Sequence, residues 1–144
     1  PGARLLSAAR ITSEQHLEEK LGLPPETPLL ALDILRFING VPFSFSTSYL
    51  PEDRFKGLHK YLTEPFSLYD ILERHYQVEP TRHESIFEVL MPGRREMELL
   101  RTSPVNPLLV VKSIAKDQAG QGVEYVISRI RGDIGSVSVN FFEK

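Results

Sequence analysis

The chain contains no cysteine among its 144 residues, so disulfide bonds, thiolate metal ligands and a cysteine nucleophile are all excluded. Long apolar runs are missing as well. No segment approaches the roughly 20 residues that span a bilayer, and the first residues lack the apolar stretch of a signal peptide. We therefore expect a soluble, cytoplasmic protein that has no membrane partner.

The sequence has no excess of either charge, because 17 basic and 19 acidic side chains give a formal net charge of −2. Binding along DNA phosphates requires a basic surface, so we do not expect these residues alone to bind DNA. The length of the chain fits one hydrophobic core. Since the first residue is Pro1 rather than methionine, we expect residues 1–144 to be one domain of a longer protein.

Sequence motifs of catalysis and metal binding are also missing. The four histidines lack metal-ligand spacing, and no P-loop, dinucleotide fingerprint or nucleophile elbow occurs. We therefore predict no catalytic residue, no metal ion and no cofactor.

Hydrophobic patterning predicts an α+β fold, with a mostly antiparallel sheet of about six strands and about three short helices. Asn39-Gly40 lies between strand-like runs at residues 29–38 and 41–50, which is typical of a hairpin with a type I′ turn. A second hairpin is predicted to join residues 108–117 and 123–131. Both hairpins favour an antiparallel sheet.

Capping patterns predict where two helices begin. Thr12 with Gln15, and Ser67 with Asp70, have the spacing at which side chains cap the first turn of a helix. The remaining predicted elements are a helix at about residues 94–100 and strands at residues 3–10, 78–89 and 137–141.

Arg36 is the first candidate binding residue. Along its predicted strand it shares a face with Leu32 and Ile34, where a guanidinium group needs an anionic partner. Either an internal carboxylate or solvent at the strand end satisfies it, or it binds the carboxylate or phosphate of a ligand.

Ser67 and Tyr69 form a second candidate group at the start of a predicted helix. Ser67 is most simply an N-cap residue, but the first-turn amides of a helix also bind anions, and a serine hydroxyl fits such a site. Tyr69 can add a hydroxyl donor or can pack in the core.

Five further positions leave a structural and a functional interpretation open. Glu124 lies in an apolar run, so it is either exposed at a sheet edge or functional. Arg131 can form a local ion pair with Asp133 in a turn. Ser44, Ser46 and Ser48 share one strand face, which is either solvated or the lining of a polar cavity.

A recognisable series of segments runs along the chain at residues 35–42, 49–51, 67–69, 107–110, 123–125 and 131–133. Taken in order, these segments resemble the UTRA effector-binding domain of HutC-type regulators in the GntR superfamily. The resemblance covers almost the whole chain. It implies a chorismate-lyase-like fold without lyase function, a winged helix-turn-helix domain on the N-terminal side, and dimerisation. Family members sense sugar phosphates, amino-acid catabolites, phosphonate-related compounds or other small metabolites.

The resemblance carries ligand contacts over to particular positions of this chain. These are Arg36, Ser67, Tyr69 and Glu124, and with a weaker match Arg131.

Two departures from the family pattern bear on the ligand. Many members have a second arginine where this chain has Ile34, and many have a glutamate where it has Ser46. Both departures argue against a hexosamine phosphate. The Leu-Arg-x-x-Asn-Gly-Val pattern at residues 35–41 and the absence of that glutamate resemble the branch of phosphonate-utilisation regulators. Ser46 is included as a further candidate contact.

We therefore predict an effector-binding and dimerisation domain that binds a small anionic metabolite and alters the DNA affinity of an attached winged helix-turn-helix. Operator DNA is expected to contact that attached domain only. Three alternatives stay open: a dimerisation module with a vestigial pocket, a small enzyme of the chorismate-lyase-like fold, and an unrelated cytosolic binding domain.

Overall fold

Over residues 2–134 the protein forms an α+β domain built on one six-stranded antiparallel sheet with three α-helices, as the patterning predicted. The computed structural model describes residues 2–134, so the strand predicted at residues 137–141 lies outside the described residues. Within residues 2–134, none of the helices combines the length and the hydropathy that crossing a membrane requires. The strands are β1 (Gly2–Thr12), β2 (Pro28–Ile38), β3 (Val41–Pro51), β4 (Thr81–Leu90), β5 (Leu108–Lys116) and β6 (Gly122–Arg131), and the helices are α1 (Gln15–Leu21), α2 (Leu68–Tyr76) and α3 (Arg94–Leu100).

The strands are arranged in the order β1-β2-β3-β6-β5-β4, which places β3 and β6 at the centre of the sheet. The β2–β3 hairpin turns at Asn39 and Gly40, whose φ angles of 50° and 75° are those of the predicted type I′ turn. The β5–β6 hairpin was also correctly predicted. Because β3 pairs with β6, the two hairpins lie side by side in one sheet. Side chains of β3 and β6 therefore line the same two faces of that sheet.

Helices cover both faces of the sheet. The helix α2 covers one side, called the inner face below, where Leu68 and Leu72 pack against Leu32 of β2. The helices α1 and α3 cover the opposite side, the outer face, through Leu17 and Leu100. Burial of each such leucine contributes about 1.5–3 kcal/mol to folding. Because strand side chains alternate between faces, the inner face takes the even-numbered residues of β2, β3 and β6.

The capping predictions were only partly correct. Thr12 does not cap α1, because it is the last residue of β1 and pairs with Pro28, and Glu14 occupies the N-cap position. Ser67 does occupy the N-cap position of α2, but its side chain makes no capping hydrogen bond. The sequence therefore located both helices better than the interactions that start them.

Asp117 holds the turn of the β5–β6 hairpin. Its carboxylate accepts hydrogen bonds from the backbone N–H groups of Ala119 and Gln121, both at 2.9 Å, and from Arg54 Nη1 at 2.8 Å. Burial by itself raises the pKa of Asp117, but the hydrogen bonds from Gln121, Arg54 and Ala119 outweigh it. The net result is a lowered pKa. The ionised form of Asp117 therefore stabilises the hairpin on which β5 and β6 depend.

We expect Asp117→Asn to lower the free energy of unfolding by about 1–3 kcal/mol at pH 7, because the replacement loses charged hydrogen bonds. The folded-state pKa lies below the unfolded value of ~3.9, so this stabilisation is present above that value and is lost as the pH falls through the folded-state pKa. Urea unfolding of both proteins at several pH values measures the difference. Exposed Asp53 is the control, and Asp53→Asn should change little. A difference that stays constant down to pH 2 would contradict the assignment.

Candidate functional site

The inner face carries a group of buried serines at the centre of the sheet. Ser44, Ser46 and Ser48 alternate along β3, and Ser113 lies on β5; none is more than 4% exposed. Serine is usually found at protein surfaces, so four buried serines on one sheet face are unusual. Their burial excludes the solvated interpretation of the β3 serines and supports a polar lining.

Arg36 extends from β2 over this serine group. Its Nη1 donates a hydrogen bond to Ser46 Oγ at 2.9 Å, and Ser46 Oγ lies 3.2 Å from Ser128 Oγ on β6. Within residues 2–134, Arg36 forms no salt bridge with a carboxylate. The structure thus places a half-buried guanidinium group above hydroxyls that come from two neighbouring strands.

Glu124 and Tyr69 meet above the same face. Glu124 lies on the central strand β6 and is 2% exposed. Tyr69 projects from the first turn of α2, and its hydroxyl donates a hydrogen bond of 2.6 Å to Glu124 Oε1. The Tyr69 hydroxyl thus supplies the hydrogen-bond donor that a carboxylate inside an apolar run requires. Glu124 is buried rather than exposed at a sheet edge.

Charges across this cluster act on one another. Burial lowers the pKa of Arg36 and the negative charge of Glu124 opposes that shift, while the charge of Arg82 adds to it. Burial also raises the pKa of Tyr69, as do the charge of Glu124 and the hydrogen bond to it, while Arg82 acts in the opposite direction. Tyr69 therefore stays protonated as a donor, and Arg36 is a cation whose charge the protein compensates only in part.

Ser48 has a buried hydroxyl with no hydrogen-bond partner in the part of the chain that the structure describes. It pairs with Val126 on β6, one inner-face position along β3 from Ser46. Leaving such a group unsatisfied costs about 1–3 kcal/mol, so a buried hydroxyl normally has a hydrogen-bond partner.

Arg131 is not brought together with Arg36. It lies at the end of β6 on the outer face, where Nη1 donates to the carbonyl oxygen of Leu100 at 3.0 Å. Its Nε and Nη2 donate to the two carboxylate oxygens of Asp133 at 3.0 and 2.7 Å. These hydrogen bonds raise the pKa of Arg131. One small ligand cannot contact both arginines, because the sheet separates them.

Ser67 is exposed at the start of α2 and lines a cavity of about 310 Å³ at that end of the helix. Arg74 and His75 of α2 line the same cavity, and Tyr61 stacks on His75 with ring centroids 3.8 Å apart.

Four of the predicted ligand contacts lie together on the inner face: Arg36, Ser46, Tyr69 and Glu124. No hydrogen bond connects Ser67 to that cluster within residues 2–134.

Sequence reasoning missed three inner-face residues. Ser113 of β5 lies 2.8 Å from Ser85 of β4 between their Oγ atoms, and Arg82 Nη1 lies 3.5 Å from Ser113 Oγ. Ser128 of β6 contacts Ser46. Ser113 had a detectable signal, since it is a single serine in the apolar run of β5, whereas Arg82 reaches the site only through the local pairing of β4.

This arrangement suits binding of a small polar molecule better than metal chemistry. Within residues 2–134, no group of three or more His, Asp or Glu side chains could hold a metal ion. The cluster offers guanidinium and hydroxyl donors for an anion, and one carboxylate that can accept a hydrogen bond from a donor on the same molecule.

Comparison with known proteins shows which family the whole chain resembles. The model of the UTRA domain family matches residues 1–134. The chain is 28% identical over 100 residues to the uncharacterised HTH-type transcriptional regulator YurK of Bacillus subtilis. This match covers 69% of this chain and 41% of that protein. It is 27% identical over 132 residues to the HTH-type transcriptional repressor PhnF of Mycolicibacterium smegmatis, covering 92% of this chain and 54% of that protein.

A solved structure gives the same result for the fold. The crystal structure of the effector domain of PhnF from Mycobacterium smegmatis matches with a TM-score of 0.90 at 25% identity, over 99% of this chain and 87% of that one. The chain spans about half the length of the curated relatives it matches.

We expect Tyr69→Phe to destabilise the protein by about 1–3 kcal/mol, because a buried carboxylate loses its donor. In Glu124→Gln the phenol keeps an acceptor without the charge, so the double variant should cost less than the two single changes added together. Urea unfolding of the four proteins measures this coupling. Tyr61→Phe is the control, since the Tyr61 hydroxyl makes no hydrogen bond within the described residues. Strict additivity of the two changes would contradict the coupling.

Proposed function

Because this chain belongs to the UTRA domain family, the effector-binding domains of GntR-type transcription regulators, we propose that its inner-face cluster binds a small anionic metabolite. The proposed contacts are Arg36, Ser46, Tyr69 and Glu124. A guanidinium group and several hydroxyls supply donors for the anionic group, and Glu124 supplies an acceptor for a hydroxyl or ammonium group on the same ligand.

The state of Arg36 carries this proposal. Its guanidinium group is half buried, donates to a neutral serine and forms no salt bridge within residues 2–134. Partial burial of a cation without a carboxylate partner is unfavourable, and an anionic ligand would relieve that cost. The outer face offers the contrast, because Asp133 already compensates Arg131 there.

The positions of Ser67 and Arg131 decide whether each residue belongs to the proposed site. Ser67 stays a proposed contact, reached by a ligand that extends toward the exposed start of α2. We do not include Arg131 in the same site, because its donors are occupied and face the other side of the sheet. Many family members carry an arginine where this chain has Ile34 and a glutamate where it has Ser46. We therefore favour a phosphonate-like or carboxylate effector over a hexosamine phosphate.

In the whole regulator, we propose that this domain follows a winged helix-turn-helix that contacts operator DNA in the cytoplasm. The curated relatives are named HTH-type regulators, and the chain corresponds to about half of their length. Effector and operator would then favour different states of the protein, with a reciprocal coupling of roughly 1–3 kcal/mol. Operator titrations of such a protein with and without effector measure that coupling.

We further infer that the domain binds its ligand without catalysis, since the relatives are named as transcription regulators. No cofactor enters the proposed function. Formation of a product from chorismate by the purified chain would contradict this inference and support the enzyme alternative.

We propose that β4 supplies the dimer surface. It is the last strand of the sheet in the described part of the chain, and its apolar side chains are exposed on both faces. Ile86 and Phe87 are 43% and 44% exposed, and Val89 is 70% exposed. An edge strand with such residues can pair with a second copy of the chain.

We expect Arg36→Ala to weaken effector binding by about 1.5–3 kcal/mol, roughly tenfold to more than a hundredfold in Kd, because a charged hydrogen bond is lost. A thermal-shift screen of phosphorylated, phosphonate and carboxylate metabolites identifies the ligand, and calorimetry then compares the variants. Arg94→Ala is the matched control, because Arg94 is exposed on α3 and forms no ion pair within residues 2–134. Normal binding by folded Arg36→Ala would refute the site assignment.

We expect Val89→Asp to convert the dimer to a monomer at micromolar concentration, because a desolvated charge would have no partner at the interface. Sedimentation velocity over a concentration series measures the shift. Val105→Asp is the control, since Val105 is 80% exposed in the loop before β5. If both variants dimerise like the parent chain, the interface does not involve β4.

A further inference from the structure

The edge strand β4 directs one arginine to the inner face by means of a β-bulge. The register of β4 shifts between Arg82 and Glu84, so that Arg82 pairs with Ala115 while Ser85 pairs with Ser113. Ala115 and Ser113 are two residues apart on β5 and therefore lie on one face. Positions 82 and 85 are three residues apart, and only the bulge allows both to face that side. Bulges at sheet edges commonly re-aim a side chain in this way.

The redirected guanidinium group joins the cluster already described. Arg82 Nη1 lies 3.5 Å from Ser113 Oγ, which is long for a hydrogen bond, and within residues 2–134 Arg82 forms no salt bridge. Its charge acts on Arg36, and both its charge and a hydrogen bond act on Tyr69. Arg36 and Arg82 thus each reach a serine of the inner face, Arg36 from β2 and Arg82 from the edge strand β4.

This arrangement leaves an uncompensated positive charge. Arg36 and Arg82 contribute two positive charges, Glu124 contributes one negative charge, and Tyr69 is neutral. Arg36 is half buried and Arg82 is exposed at the sheet edge. Like charges near one site repel each other, and an anion placed between them relieves that repulsion. Ser48 lies on β3, which stands between β2 and β4 in the strand order, and its buried hydroxyl lacks a partner in the described residues.

We propose that Arg82 is a second anion-binding residue of the effector site, so that the anionic group of the effector lies between Arg36 and Arg82 above the serines of β3, β5 and β6. This proposal rests on the proposed function of the same cluster. In this arrangement the ligand carries an oxyanion, either a phosphate-like group or a carboxylate. That group contacts both β2 and the edge strand β4.

The test uses two simple oxyanions, inorganic phosphate and succinate, titrated against the whole chain at pH 7 and constant ionic strength. The variants are Arg82→Gln, Arg82→Lys and Arg36→Gln, with Arg94→Gln as the matched control. Thermal midpoints in chloride buffer first show that each variant is folded. We expect Arg82→Gln to weaken binding of the preferred anion roughly tenfold or more, and Arg82→Lys to weaken it less, because a point charge remains.

The outcomes separate this proposal from the one on which it rests. Weakened binding in both the Arg36 and the Arg82 variants, with Arg94→Gln unchanged, supports both proposals, and the preferred anion distinguishes a phosphate-like from a carboxylate ligand. Weakened binding in Arg36→Gln alone overturns the inference about Arg82 and leaves the proposed function in place. Equal binding by all variants, or no binding of either anion by the parent chain, overturns both.

Discussion

Burial of polar groups on the inner face is the constraint on which the rest of this structure depends. A sheet with helices on both faces would gain stability from apolar side chains at its centre, yet the two central strands carry serines and a glutamate there. Glu124 is tolerated because Tyr69 of α2 donates to it, which also fixes how α2 lies over the sheet. The hydrogen bond between α2 and β6 thus joins helix packing to the chemistry of the site.

Much of this architecture could be predicted from local sequence signals. The Asn39-Gly40 turn determined one hairpin, and alternation along β3 placed Ser46 on the same face as its serine neighbours. The period of two along β2 was enough to put Arg36 among apolar residues. These predictions succeeded because a turn and a strand period depend only on neighbouring residues.

The parts that the sequence could not supply depend on pairing between distant strands. Arg82 and Ser113 belong to strands that are separated in sequence by residues 91–107, and the orientation of Arg82 depends on a one-residue bulge that has no sequence signature. Arg131 was grouped with Arg36 through the family resemblance. Its odd-numbered position on β6 places it on the outer face, and that assignment required the observed register.

The arrangement also offers a physical route from ligand to assembly. A ligand between Arg36 and Arg82 would connect β2, near one edge of the sheet, to β4 at the other edge. Since β4 also carries the exposed apolar residues of the proposed dimer surface, occupancy of the site would bias the position of that strand and hence the geometry of the dimer. A ligand can shift such an equilibrium only by its difference in affinity for the two states. Such a shift therefore requires that the contacts between the ligand and Arg82 differ in strength between the two states of the dimer.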